Sequence, residues 1–300
     1  MALQSSSPED LIVIDSNYKE RVETRRKVMD GNPGTVMGTI GTPGAKAAVD
    51  ELHAYLIDYL PKRYPSIFTK MLSSPPSLYN AATGKTIAST PPANPLDALR
   101  ILGETVEDDL FLLQEESIQT VPDDGGPAYP DTSHRLVAFL CCFPAGFDPS
   151  SKLGLLLKDI HKPVPSYDKI GPSMERFFKR LAVGQSVRRL NWSVQTHKTL
   201  FVPRGNHVHE GDEVEHDADV DISQTCLRVE CQTLTRLPVT KAILFSFKTY
   251  LFPVQDLKNE GVGPDLADAI EGLKEGNAPS MWTYKGGVRW GKSVCEYLRS

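Results

Sequence analysis

The sequence predicts an α+β fold: an antiparallel sheet flanked by helices, with a pocket between the two layers. Three observations carry this expectation. The run 135–143 is short, apolar and closed by Pro144, as a buried strand is. Two amphipathic segments of helical period follow it, at 149–161 and 168–182. Three strand-like runs then come in succession, at 187–202, 225–237 and 241–252, and the hairpin-sized connection Leu237-Pro-Val-Thr240 joins the last two.

The N-terminal part reads as mainly helical. After the apolar run Leu11-Ile12-Val13-Ile14, Asp15-Ser16 is positioned to cap a charged helix from Tyr18 to Met29, which Asn32-Pro33-Gly34 ends. A second helix spans about 45–60, with Ala48, Leu52, Leu56 and Leu60 four residues apart on one face. Pro61 is expected to stop it, and Tyr64-Pro65 marks the turn beyond. Residues 73–95 are rich in Ser, Pro, Thr and Ala and repeat with neither helical nor strand period, so they read as a linker. A helix over 95–114 carries Leu96, Leu99, Ile101 and Leu102. Past the centre, 149–161 reads as a helix with Leu153, Leu156, Leu157 and Ile160 on one side, and the tail 255–300 as helical with glycine breaks. The expected organisation is a helical N-terminal region (1–125), a core (126–254) carrying an acidic insertion (205–221), and a C-terminal helical extension (255–300).

Composition narrows the function classes. Hydrophobic residues make up 40% and charged residues 24%, an ordinary globular balance. The 23 prolines predict many turns and broken elements. With 33 basic and 38 acidic residues the net charge is −5, which argues against a nucleic-acid partner. That charge is local. Residues 205–221 hold seven acids and no Lys or Arg, and without them the chain carries +2. Five unevenly spaced cysteines with no C-x-x-C pair suit neither a disulfide framework nor a zinc or iron–sulfur site. No signal-like start and no run of about 20 apolar residues is present, so a soluble cytoplasmic protein without a membrane partner is expected.

Four segments are chemically suggestive. His207 and His209, with His216 and Glu213 nearby, would suit one side of a cupin-like metal site. The surrounding acids and the scarcity of apolar residues favour a solvated insertion instead. His161 sits at the end of an apolar helix before Pro163 and Pro165. This is the usual place of a structural histidine, yet it also presents a neutral imidazole rigidly to an apolar cavity, as an axial haem ligand requires. In 227–234, alternation puts Leu227, Val229 and Cys231 on one face and Arg228, Glu230 and Gln232 on the other. A half-exposed face is the common case, and charges in a pocket are the functional one. Arg188 and Arg189, followed by Asn191-Trp192, point to opposite faces of a strand, so one of them can serve a carboxylate.

Taken in order, these stretches resemble the haem-dependent oxidative N-demethylase alpha-subunit family. The segments His161-Lys-Pro-Val-Pro165, Arg189-Leu-Asn-Trp192 and Arg228-Val-Glu-Cys-Gln-Thr-Leu-Thr-Arg-Leu-Pro238 carry the resemblance, with 11–26, 54–68, 107–114, 134–144 and Tyr284-Lys-Gly286 around them. The resemblance implies a PAS-like antiparallel sheet whose flanking helices form a haem pocket, with N- and C-terminal helical extensions. It implies haem b, O2, a small amine as substrate, and oxidative N-demethylation to a primary amine and formaldehyde. Electrons would come from NADPH through a separate flavin and iron–sulfur reductase, in keeping with the missing dinucleotide loop and cluster cysteines. On this reading His161 is the axial ligand to the haem iron, and Glu230 attracts the protonated amine. Arg188, Arg189 and Arg228 neutralise propionates, and Asn191 belongs to the same cofactor-binding strand. Cys231 stands where a basic residue is expected, and the 205–221 insertion is a second departure, so the substrate stays open. The rivals are a non-catalytic haem sensor of the same fold and a metal-dependent oxygenase using His207, His209 and His216.

Overall fold

The computed structural model describes residues 3–72, 74–120, 129–209, 211–275 and 277–300. The expected domain division at 125/126 lies outside the described residues. The chain runs through β1 (Gln4–Ser6), α1 (Tyr18–Gly31), α2 (Pro33–Val36), β2 (Met37–Thr39) and the long α3 (Pro43–Arg63). Three short strands follow, β3 (Phe68–Met71), β4 (Ser77–Asn80) and β5 (Lys85–Ala88), then α4 (Pro95–Gly103). The long strands β6 (Asp109–Thr120) and β7 (Tyr129–Leu140) lead through α5 (Leu157–Ile160) and α6 (Tyr167–Arg180) into β8 (Ser186–Gln195), β9 (Cys226–Arg236) and β10 (Ile243–Pro253). The tail forms α7 (Val254–Asn259), α8 (Gly263–Glu271), α9 (Met281–Tyr284) and α10 (Gly287–Arg299). The fold is α+β, as expected. Its main sheet has seven antiparallel strands in the order β1-β8-β9-β10-β6-β7-β2, and β3-β4-β5 form a second, small sheet.

Several elements differ from the sequence expectation. The helix expected over 95–114 ends at Gly103, and residues from Asp109 onward are a central strand. Its run Leu110-Phe-Leu-Leu113 is continuously apolar because both faces of β6 are covered. Leu110 and Leu112 join one buried cluster, and Phe111 and Leu113 join another. The expected linker 73–95 contains β4 and β5, where Leu78 faces Ile87; four-residue strands are too short to show a period. Residues 149–161 are not one helix. A 3₁₀ turn at Pro149–Lys152 is separated from α5 by Gly154, whose φ of +79° interrupts the helical path. Pro61 does not stop α3, which continues two residues to Arg63, and the Tyr64 N–H donates to the Leu60 carbonyl at its end. The strand expected over 187–202 ends at Gln195. The N-cap position of α1 is Asn17, not Asp15 or Ser16, and its side chain makes no capping hydrogen bond.

Two apolar clusters sandwich the sheet. On one face, α1, α3 and α4 pack Val22, Met29, Leu52, Leu56 and Leu99 against Leu110, Leu112, Ala138 and Leu140. On the other, Phe178 and Leu181, in and beyond α6, and Leu157 of α5 cover Phe111, Phe139 and Phe247. A third cluster packs α8 and α10 on Val194 and Val254, near the outer end of β8 and β9. The acidic segment is not a loose loop. The Val208 N–H donates to the Tyr284 carbonyl, the Asp217 N–H to the Val288 carbonyl, and Ser293 Oγ to the Ala218 carbonyl, so the segment is strapped across α9 and α10.

Asp109, at the head of β6, ties these layers together. Its Oδ1 accepts from Arg25 Nη1 at 2.5 Å and from the Cys142 N–H at 2.7 Å, and its Oδ2 accepts from the Phe143 N–H at 2.9 Å. Arg25 is fully buried and also donates to the Gly103 and Glu107 carbonyls. Asp109→Ala leaves a buried guanidinium unpaired and orphans two N–H groups, so the unfolding free energy is expected to fall by about 3–5 kcal/mol. Urea denaturation checks this; a loss under about 1 kcal/mol would mean that the pair does not anchor the strand.

Candidate functional site

The inward face of β8–β10 carries the site. Cross-strand register aligns Asn191 with Glu230 and Thr249, and Arg189 with Gln232 and Phe247. The alternation read from the sequence is the one observed, but the charged side of β9 is the buried one. Arg228 is 1% exposed and Glu230 and Gln232 are each 6%, while Val229 and Cys231 are half-buried. Glu230 Oε2 accepts from Gln232 Nε2 at 2.8 Å and from Asn191 Nδ2 at 3.2 Å. Among the described residues its Oε1 has only the Arg228 Nε, at 3.9 Å. The carboxylate is therefore held by one oxygen, leaving the other to pair with a cation.

The three arginines take different positions. Arg228 donates to the Phe143 and Leu200 carbonyls and to Gln195 Oε1, so its charge is spent on backbone oxygens. Arg188 points to the outer face, its side chain 55% exposed and 3.8 Å from Asp10. Arg189 is on the inward face, where Nε donates to Gln232 Oε1 at 2.6 Å and no carboxylate pairs with its terminal nitrogens among the described residues. Burial pushes the Arg189 guanidinium below its usual range, and Glu230 only partly restores it.

His161 sits where α5 ends, in the connection that overhangs this face. Its Nδ1 lies 2.9 Å from the Leu157 carbonyl, and its ring stacks on Tyr167 with centroids 5.0 Å apart. A carbonyl accepts only from a protonated nitrogen, so Nδ1 carries the hydrogen and Nε2 the lone pair. Burial pushes the His161 imidazole down; the carbonyl bond opposes this, and the Arg189 charge adds to it, so the ring is neutral near pH 7 and electrostatically coupled to Arg189. A second imidazole was not singled out by sequence. His134, fully buried on β7, has Nδ1 2.9 Å from Glu175 Oε2 on α6, and its Nε2 has no partner among the described residues. Ser133 Oγ donates to Glu175 Oε1, and together these bonds pin α6 to the sheet.

The other wall comes from the acidic segment and the tail. His207 stacks on Tyr284 with centroids 4.4 Å apart, and His209 lies edge-on to the same tyrosine. The two imidazoles flank the phenol ring, and among the described residues no three His, Cys, Asp or Glu side chains gather to hold a metal. Lys285 is 5% exposed and donates to the Trp192 carbonyl on the edge strand β8. Burial pushes the Lys285 ammonium down to about 8, with Glu230 opposing the shift and Arg189 adding to it. Lys285 and Tyr284 are 55 and 54 residues from Glu230 in sequence, and the Gly286-Gly287 turn that delivers them has no local periodicity to announce it.

The family model of the haem-dependent oxidative N-demethylase, alpha subunit-like proteins matches residues 2–295. The chain belongs to this family. Membership makes haem-dependent oxidative N-demethylation the expected class of chemistry and an alpha-subunit-like role the expected organisation, and it spans the N-terminal helices, the sheet and the tail alike. Among the described residues, no helix of this N-demethylase-like chain is long and apolar enough to cross a membrane, and all five cysteines are free.

His207 supplies a test of the wall. Burial holds its imidazole down at about 4, against an ordinary value of 6.5. Below pH 6.5 the unfolded chain takes up a proton that the folded chain refuses. The site therefore loses stability as pH falls from 6.5 towards 4, by up to about 3 kcal/mol. His207→Phe keeps a ring on Tyr284 and is expected to flatten this part of the stability–pH curve; parallel curves for the two proteins would place His207 in water.

Proposed function

We propose that the inward face of β8–β10 and the α5–α6 connection bind haem b, that His161 Nε2 would hold its iron, and that the site oxidatively N-demethylates a small amine. The reading rests on family membership and on the donor set. His161 offers a lone pair from a fixed tautomer. Arg189 is a half-buried cation without a carboxylate partner among the described residues, which a propionate would supply. The sheet beneath this connection is aromatic, with Phe111, Phe139 and Phe247 packed under Leu157, Phe178 and Leu181 and Phe245 half-buried beside them. The arrangement also supports a PAS-like core: two strands, a helical connection and three strands, with the sheet order β7-β6-β10-β9-β8.

Bound haem would supply O2 activation, with electrons from a separate reductase fed by NADPH through flavin and iron–sulfur centres. The chain's own residues do the rest. Glu230 is the observation that carries the substrate assignment: a carboxylate 6% exposed, fixed through Oε2 by Gln232 and Asn191, with Oε1 left to take an ammonium. Its pairing orients the N-methyl group, and the same oxygen accepts the ammonium proton, since only the neutral amine is readily oxidised. Lys285 stands beside it with a weakened hold on its own proton, because burial opposes the ammonium charge. Arg228 fixes the strand through backbone carbonyls, and Arg188, on the outer face, is too remote for a propionate.

Protein produced with haem supply, or mixed with hemin, is expected to show a Soret band that His161→Ala abolishes or shifts. An unchanged spectrum removes His161 as ligand, and no band in either preparation removes the haem reading. Glu230→Gln is expected to keep the band and raise KM for the amine roughly 10–100-fold, the value of one buried charge-assisted hydrogen bond. A band with no amine-dependent O2 uptake under a surrogate reductant would make the chain a haem-binding module without turnover.

A further inference from the structure

The His161 imidazole is fixed by two contacts of different kinds. Its Nδ1 donates to the Leu157 carbonyl at 2.9 Å, and its ring lies nearly parallel to that of Tyr167, with 7° between the planes and centroids 5.0 Å apart. A single N–H···O bond holds one atom of a ring and lets the plane rock about that bond. A flat neighbour removes this freedom, so the stack decides where the free Nε2 points.

Several unusual local features bring Tyr167 there. The Val164 N–H donates to the His161 carbonyl at 2.8 Å and the Tyr167 N–H to the Val164 carbonyl at 3.2 Å, and Pro163 and Pro165 stiffen both turns. Ser166 has φ +57°, in the left-handed region that a side chain disfavours, and this turn doubles Tyr167 back onto His161. α6 opens with Tyr167, and its sheet-facing stripe continues at helical spacing through Gly171, Glu175 and Phe178. Glu175 accepts from His134 Nδ1 and Ser133 Oγ of β7, which holds the helix against rolling. Glycine inside a helix is less stable than alanine, and Gly171 has a spatial reason. A Cβ there would lie 2.9 Å from Tyr167 Cε1 and 3.3 Å from its Cζ, so the ring rests over bare backbone. The phenol oxygen adds nothing to this seat, being buried without a hydrogen-bond partner among the described residues.

We propose that Tyr167 is a positioning residue for His161: its ring, seated over Gly171 and laid flat on the imidazole, sets the imidazole plane and so the aim of the Nε2 lone pair. The inference rests on the haem reading above, which makes that lone pair the donor to iron. Tyr167 acts only through His161, and the part of it that acts is the ring face.

Haem-loaded wild type is compared with Tyr167→Phe, Tyr167→Leu and Gly171→Ala by two measurements. One is the spread of the hyperfine-shifted haem methyl resonances, which follows the plane of an axial imidazole; the other is the rate of haem transfer to apomyoglobin. Tyr167→Phe is expected to reproduce the wild-type spread and rate. Tyr167→Leu, apolar but without a flat face, is expected to change the spread and release haem roughly 3–10-fold faster, the value of one aromatic contact. Gly171→Ala should act in the same direction by pushing the ring off its seat, and should add nothing in the Tyr167→Leu background. An unchanged spread and rate in Tyr167→Leu, an equal loss in Tyr167→Phe, or additive effects in the double variant would overturn the proposal. If Tyr167→Leu does not fold, Gly171→Ala against Tyr167→Phe decides alone. A wild type without a Soret band, or a band that His161→Ala leaves unchanged, would remove the haem reading or the ligand itself and this inference with it; a His161-dependent band with an indifferent Tyr167 removes this inference only.

Discussion

The buried pair of Arg25 and Asp109 sets where the central strand begins, and the inward face depends on that start. Asp109 accepts from a guanidinium on α1 and from two backbone N–H groups just beyond β7, so one carboxylate fixes a helix, the head of β6 and the exit of β7. Asp109 faces Phe247, and Phe247 faces Gln232 across the next pair of strands. A slip of one residue at β6 would turn Phe111 outward and break the aromatic floor on which β8 and β9 continue. A second buried set holds the opposite face: Lys248 reaches Glu107 Oε2 at 2.9 Å, Asp15 Oδ2 at 2.6 Å and the Val13 carbonyl at 2.9 Å. Asp108, between these sets, is pushed up to about 8 by burial, so it enters the core neutral rather than as a further charge.

The sheet divides labour between its faces along single strands. On β9, Arg228, Glu230 and Gln232 point into the site, while Cys231 looks outward toward Lys248 and Leu190. The charges on these strands are tolerated because each is hydrogen-bonded: the buried Arg228 by carbonyls, the buried Glu230 by two amides, and the half-buried Arg189 by Gln232. The pocket's remaining wall is borrowed from the tail, which reaches around the edge of β8. The Lys285 ammonium satisfies the Trp192 carbonyl on that edge and stands beside Glu230, so edge protection and site chemistry share one side chain. The acidic segment shares two roles in the same way, with His207 on the pocket wall and Asn206 on a neighbouring cleft.

Legibility in the sequence followed the length and coverage of each element. α1, α3 and α6, the strand β9 and the helical tail are long enough to repeat their period, and β10, buried on both faces, shows instead as a long apolar run. β4 and β5 are four residues each, and β6 is apolar on both faces, so neither shows the alternation that identifies a strand. Among the site residues, Glu230, Arg228, Arg189 and Asn191 were readable because alternation within two strands puts them in reach of one another, and His161 because two prolines isolate it at a helix end. His134 with Glu175, and Lys285 with Glu230, are pairs joined across 41 and 55 residues by packing alone.

By itself the sequence determined the α+β class, the chain order of β7, two helical segments and then β8 to β10, the alternation that groups Glu230 with Arg228 and Gln232, and the local origin of the negative charge. These properties depend on neighbours one to four residues apart, which chain geometry fixes. Only the tertiary structure decided that the charged side of β9 is the buried one, that Arg189 rather than Arg188 faces the site, and that the acidic segment is strapped to α9 and α10. Those outcomes depend on which layer covers which face, and coverage is set by the assembly of α6, the tail and the sheet, where no local period reaches.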